Sequence, residues 1–211
     1  MKATVAALGS QQQIDDIDTM RTRILDAALA CFAADGVRRT TMNAIAGGAG
    51  VGVATVYRRF PQKEQLVNAV LLRESSLLIA AVQNAVDEAD TAEDQLVAGF
   101  ATFTTEITNR GLLREILDSD RGTGGIDHSE NGSPLLELGR GFLSGIIRRW
   151  QTDRTIADFD ADLVAEIFAR LAYSLALTPQ GLIPLADTDS ARRFARIHLI
   201  PLLHPNLPDP S

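Results

Sequence analysis

The chain is poor in the residues that would staple it, plate it or anchor it. Its one cysteine, Cys31, excludes an intramolecular disulfide framework and fits a reducing cytoplasm. Cys31 falls on an apolar helical stripe, where a buried, inert thiol is expected. Eight Phe, two Tyr and one Trp leave the core to aliphatic side chains and argue against a site that stacks flat ligands. No run approaches the ~18–20 uninterrupted apolar residues of a bilayer span. Residues 1–13 carry one lysine and no long apolar core, so neither a membrane partner nor a secretory signal is expected. The three histidines, His128, His198 and His204, lack an i, i+4 partner of ligand type, so no metal site is expected. Asp158, Asp160 and Asp162 begin like a calcium loop. Leu163 and Ala169 stand where such a loop needs Gly and Glu. These carboxylates are expected to cap and charge a helix start instead. Asp118 and Asp120 beside Arg114 and Glu115 read as a solvated helix end rather than an acid/base cluster. No glycine-rich phosphate loop follows a strand. No catalytic residue and no cofactor are expected.

Charge is scarce in one sign overall but not locally. The net charge is −7. Residues 19–63 hold Arg21, Arg23, Arg38, Arg39, Arg58, Arg59 and Lys63 against Asp26 and Asp35, a local +5 that leaves −12 for the rest. A small basic head on an acidic body binds phosphates at the head and is repelled from them elsewhere.

Periodicity is helical throughout. Ile24, Leu25, Ala28, Cys31 and Phe32 share one helical face, which predicts a helix over 19–35 stopped by Gly36. Thr40 or Thr41 caps a helix over 42–49. Gly50 supplies a turn, a short helix follows over 53–59, and Pro61 ends it. A long helix runs from Lys63 and Glu64 to about residue 87. Further helices are predicted over 92–109, 112–118, 134–153, 160–178 and 188–203. Residues 121–133 are polar and Gly-rich and read as a mobile loop. Residues 1–18 read as a mobile arm, and 205–211, with three prolines, as a disordered tail. With no strand-like alternation and no repeat, the fold class is all-α. The domains are expected at 19–65 and 66–204.

Residues 37–66, VRRTTMNAIAGGAGVGVATVYRRFPQKEQL, form a helix-turn-helix pattern. Ile45, Ala46, Ala49, Val51, Val56 and Phe60 are its internal contacts, with Ala46 small where the helices cross. The outward face carries Thr55, Tyr57 and Arg58, groups that bond phosphates or base edges. Such a unit lays its second helix in the DNA major groove.

The same segment resembles the DNA-binding domain of the TetR family of transcriptional repressors. The shared pattern is T-(hydrophobic)-x-x-I-A-x-x-A-G-V, then T/S-(hydrophobic)-Y-x-x-F-x-x-K-x-x-L. Thr41, Ile45, Ala46, Ala49, Gly50, Val51, Thr55, Val56, Tyr57, Phe60, Lys63 and Leu66 match it. The resemblance covers about residues 19–70. It implies phosphate contacts at Thr41, Tyr57 and Lys63, and base contacts at Val53, Ala54, Thr55 and Arg58. Two departures stand out: Gly52 replaces the usual hydroxyl cap, and Gly47-Gly48 sit inside a helix, at ~1 kcal/mol each relative to Ala. A loosened DNA domain in the free protein is expected from them.

The resemblance further implies a helical ligand-binding and dimerisation domain. The expected dimer contacts are Leu163, Ile167, Leu171, Leu175, Phe194 and Ile197. The expected ligand contacts are Phe100, Phe103, Leu117, Phe142, Ile146, Trp150, Phe168 and Leu171, with Tyr173 as a second polar-tipped aromatic. Aliphatic walls favour an apolar, amphipathic or fatty-acyl-like effector, although the same residues would equally fill a core. The resulting expectation is a cytoplasmic, dimeric, ligand-responsive repressor on a near-palindromic double-stranded operator. A helical protein–protein adaptor with a degenerate DNA domain is the alternative, supported by Gly47, Gly48 and Gly52. An all-α enzyme lacks a catalytic set.

Overall fold

The computed structural model describes residues 2–110, 134–183 and 187–204. The expected helix over 112–118, Leu117, the loop over 121–133 and the tail over 205–211 lie outside them. Eight α-helices occur among the described residues: α1 Lys2–Asp35, α2 Met42–Ala49, α3 Val53–Arg59, α4 Lys63–Asp87, α5 Ala92–Asn109, α6 Pro134–Thr152, α7 Ala161–Leu177 and α8 Thr188–Phe194. A π-helical turn, Ala195–Leu199, and a 3₁₀ turn, Ile200–Leu203, complete them. The class is all-α, as the periodicity requires.

Two boundaries differ from the sequence expectation. Residues 2–18, read as an arm, continue α1 as helix. This stretch has no proline and is rich in Ala, Leu and Gln, all good helix formers, so nothing in it ends the helix. The last helix, expected unbroken over 188–203, changes its winding after Phe194. Pro201 has no N–H to donate to the carbonyl four residues back, and its ring crowds that carbonyl. The turns before and after it therefore loosen to π and tighten to 3₁₀.

The chain divides into two compact units between Leu72 and Arg73, later than the 65/66 boundary read from the motif. The reason lies in α4. Its first turns bury Leu66, Val67, Val70 and Leu71 within the first unit, together with Ile24, Phe32, Ile45 and Val56. The core of the second unit joins Val86, Val97, Ile146, Ile147, Trp150, Ala165, Phe168, Ala195 and Leu199. Helix α4 is long and apolar enough by length and composition to span a bilayer. That character comes from the residues it gives to the two cores, and Arg73 and Glu74 interrupt it.

Asp160 caps α7 as expected, its carboxylate accepting from the N–H groups of Asp162 (3.0 Å) and Leu163 (3.1 Å). Asp187 does the same for α8. Cys31 departs from expectation: it is half-buried, because its position lies at the rim of the α1 stripe rather than its centre.

Candidate nucleic-acid interface and ligand cavity

The turn between α2 and α3 is fixed by its backbone. Gly50 adopts φ 63° and ψ 39°, the left-handed region that a Cβ disfavours. Its N–H bonds the Gly47 carbonyl (3.1 Å), and the Val51 N–H bonds the Ala46 carbonyl (3.0 Å). This crossed pair is a Schellman motif and satisfies carbonyls that the end of α2 would leave orphaned. Arg23, on α1, completes the end: its Nη2 donates to the Ala49 carbonyl at 2.6 Å. A cation at a helix C-terminus also meets the negative end of the helix dipole. The sequence reading did not single out Arg23, because its partner is 26 residues away and nothing in local spacing connects them.

The two threonines divide the roles that the sequence left open between them. Thr41 caps α2, its hydroxyl accepting from the Ala44 N–H at 3.2 Å. Thr40 is buried and donates to the carbonyls of Gly36 (2.9 Å) and Cys31 (3.1 Å), tying the loop to the end of α1. Of the expected internal contacts, Ile45, Ala46, Ala49, Val56 and Phe60 are buried, and Val51 is partly so.

Helix α3 starts at Gly52 with no side-chain cap, as its sequence requires. Its buried residue is Val56, and its outward residues are those expected. Val53 is 37% exposed and Tyr57 49%; Ala54 and Arg58 are exposed and Thr55 partly so. About half of Tyr57 thus stands in solvent on a seven-residue helix. Lys63 is half-buried and donates from Nζ to the Arg38 carbonyl at 3.3 Å, which leaves ammonium protons for a further acceptor. Burial pulls its pKa below the ordinary lysine value, partly offset by neighbouring Glu64. The glycines of α2 are not equivalent. A Cβ at Gly48 would lie 3.3 Å from the Ala27 Cβ on α1, so glycine there allows close helix approach. A Cβ at Gly47 would meet nothing.

The second unit contains a partly open cavity of about 190 Å³. Helix α4 lines it with Ser75, Leu78, Ile79, Val82 and Val86, and α5 with Gln95, Leu96, Gly99, Phe100, Phe103 and Ile107. Helix α6 adds Leu135, Leu138, Phe142, Leu143, Ile146, Ile147 and Trp150, and α7 adds Phe168, Ala169, Leu171, Ala172, Tyr173 and Ala176. Seven of the eight expected ligand contacts therefore face one space: Phe100, Phe103, Phe142, Ile146, Trp150, Phe168 and Leu171. The eighth, Leu117, lies outside the described residues. The contribution of α4 was missed, since its apolar face reads only as core. The indole N–H of Trp150 donates to Gln95 Oε1, and Gln95 Nε2 donates to the Ala89 carbonyl at 2.8 Å.

The six expected dimer contacts fall into two groups. Leu163 (59% exposed), Ile167 (44%) and Ile197 (58%) point outward. Leu175 is buried, Leu171 lines the cavity, and Phe194 stacks on Phe100 at 5.6 Å between ring centroids. These three thus face the interior of their own unit, Leu171 and Phe194 remaining partly exposed. The apolar stripe of α7 is wide enough to serve two faces, and spacing alone did not say which residue goes to which. Among the described residues no cluster of His, Cys, Asp and Glu suits a metal ion.

Residues 24–70 match the family described as bacterial regulatory proteins, tetR family. Over 98 residues the chain is 30% identical to the HTH-type transcriptional regulator UidR of Escherichia coli K12, covering 46% of this chain and 50% of that one. Over 83 residues it is 41% identical to the HTH-type transcriptional repressor KstR of Mycobacterium tuberculosis, covering 38% and 36%. The matches thus span half or less of these relatives. Salmonella enterica GusR has the same fold, with a TM-score of 0.65 at 25% identity over 88% of this chain and 96% of that one. A helix-turn-helix on a larger all-helical unit defines a class of transcriptional regulators. Residues 24–70 thus match the tetR family, and the chain shares its fold with solved regulators of that family.

Proposed function

We propose that the protein is a ligand-responsive transcriptional repressor that binds a near-palindromic DNA operator as a homodimer in the cytoplasm. The observation that carries the DNA-binding part is the exposed face of α3. Tyr57, Arg58, Val53 and Ala54 stand outward on a short helix whose approach is fixed by the Gly50 turn. Thr41 and Lys63 sit at the starts of α2 and α4, where N–H dipoles favour a phosphate. Thr41, Tyr57 and Lys63 hold phosphates in this reading, and Val53, Ala54, Thr55 and Arg58 meet base edges.

Dimerisation is supported by the outward apolar residues Leu163, Ile167 and Ile197. A two-fold pair presents two recognition helices to half-sites about one helical turn apart. The effector reading is supported by the apolar cavity, which suits a small apolar or fatty-acyl-like molecule. Helix α4 carries both Lys63 and the lining residues Ser75 to Val86. A ligand that favours one setting of α4 shifts the DNA equilibrium only by its differential affinity for the two settings.

The test is a gel shift with DNA from immediately upstream of the protein's own gene, repeated at rising salt. A retarded complex whose affinity falls linearly in log–log with salt is the expected result. Absence of any salt-dependent complex on that DNA would reject the DNA-binding reading and favour the adaptor alternative.

A further inference from the structure

The described wall of the cavity carries no charged side chain. No Asp, Glu, Lys, Arg or His is found among its described lining residues. Several charged side chains on or next to the same helices are paired with one another. Arg110 bonds both Glu74 and Glu106 at 2.9 Å. Glu166 takes Arg170 at 2.6 Å with Arg140 at 3.9 Å. Asp87 takes Arg149 at 3.3 Å, and Asp94 takes Arg196 at 3.1 Å. None of these cations lines the cavity.

The polar atoms that do line it are few and neutral. Gln95 and Trp150 are hydrogen-bonded to each other. Tyr173 and Ser75 are different. Both line the cavity, both are partly buried, and neither hydroxyl has an intramolecular partner among the described residues. Each hydroxyl has a proton to donate.

We propose that the cavity selects an uncharged ligand, mostly hydrocarbon with one or two neutral oxygen functions such as an ester, ketone or alcohol. Tyr173 and Ser75 donate to those oxygens, and free carboxylates of the same chain are discriminated against. This rests on the effector reading above and narrows it. A carboxylate entering such a wall sheds its water with no counter-charge, or takes up a proton first. An aliphatic carboxyl with a pKa of about 4–5 is neutral in about one part in several hundred near neutral pH. Its apparent affinity therefore falls about tenfold per pH unit above that pKa, whereas an ester has nothing to titrate.

Trp150 is the chain's one tryptophan and forms part of the wall, so its fluorescence reports occupancy. The full-length protein is titrated with methyl decanoate and with sodium decanoate from about pH 6 to about pH 8. The ester is expected to bind about thirtyfold or more tighter at the upper end, with a flat pH profile, while the carboxylate weakens about a hundredfold across the range. Tyr173→Phe or Ser75→Ala is expected to cost the ester about three- to tenfold, with decane unaffected. Melting curves confirm that both variants fold. Carboxylate binding as tight as the ester's, with no pH dependence, would overturn the neutral-ligand inference and leave the effector reading standing. Binding of neither probe would overturn both. Ester affinity unchanged in both variants would overturn the assignment of the oxygens to these hydroxyls.

Discussion

In the first unit, Ile24, Phe32, Ile45, Val56 and Leu66 are fully buried, and the space between short helices is filled. In the second, Phe100, Phe103, Phe142 and Leu171 stand around about 190 Å³ of space instead. Both sets are apolar residues at helical spacing. The first is spent on holding a turn and a short helix in one geometry. The second leaves part of its apolar surface unpacked around that space. On the proposed effector reading, a ligand that fills the space adds stability through the contacts it makes there. On that reading the units separate rigidity from responsiveness, and their charges differ in sign: +2 over residues 1–72 against −9 over residues 73–211.

The separation can be broken most severely at the proposed dimer contact. Ile167→Glu alters a side chain that is already 44% exposed, so the fold should survive. The expected outcome is a monomer by sedimentation and a loss of operator affinity of about a hundredfold or more, since two linked half-sites become one. A stable dimer in Ile167→Glu and Leu163→Glu would move the interface elsewhere. Leu171 and Leu175 are poor probes, because one lines the cavity and the other is buried in the chain.

Next in size is the turn. Gly50→Ala places a Cβ in the left-handed region at about 1–2 kcal/mol. That Cβ would also lie 2.9 Å from Arg23 Nη2, which holds the end of α2. Thermal unfolding should show the first unit weakened and operator binding reduced. Ligand titrations read by Trp150 should be unchanged. A parallel loss of ligand affinity would mean the units are not independent in this respect.

Phosphate contacts should give smaller effects. Lys63→Ala and Tyr57→Phe are expected to weaken binding about equally on matched and mismatched operators, with Lys63→Ala lowering the salt slope by about one. Full affinity in both variants would reject these assignments.

The smallest effect belongs to acid. The hydroxyl of Ser144, with Arg148 and Arg140, holds the Asp162 carboxyl below the ordinary carboxylate range. Hydrogen bonds from Ser190 and the Asp189 N–H, with the charge of Arg193, do so for Asp187. A carboxyl whose folded pKa is depressed adds stability that is complete above its unfolded value and is lost as pH falls through the folded value. Asp162→Asn and Asp187→Asn should therefore narrow the drop in Tm between neutral and strongly acidic buffer. Both groups are exposed, so the change should be slight. An unchanged drop in the double variant would remove these two contacts from the acid response.

Much of the candidate interface was legible because its causes are local. Thr41 accepting from Ala44, Gly50 at positive φ and Val56 alone facing inward on α3 are each settled within a few residues. Arg23 was not legible, because its role depends on a carbonyl brought to it by folding. The continuation of α1 through residues 2–18 was obscured by polarity, which resembles a tail even when no residue there breaks a helix. Pro201 was visible, but its effect on winding depends on how the last helix is held against α5.

By itself the sequence determined the all-α class, most helix boundaries, and the helix-turn-helix with its resemblance to the tetR family. Period, caps and turn glycines act through neighbours in the chain, so they can be read along it. Tertiary structure alone decided the destinations of the aliphatic side chains. On α7, Leu163 and Ile167 face outward, Leu171 faces a cavity and Leu175 is buried. A helical stripe fixes the direction a side chain points. Whether that direction ends in a neighbour, in open space or in water depends on helices distant in sequence.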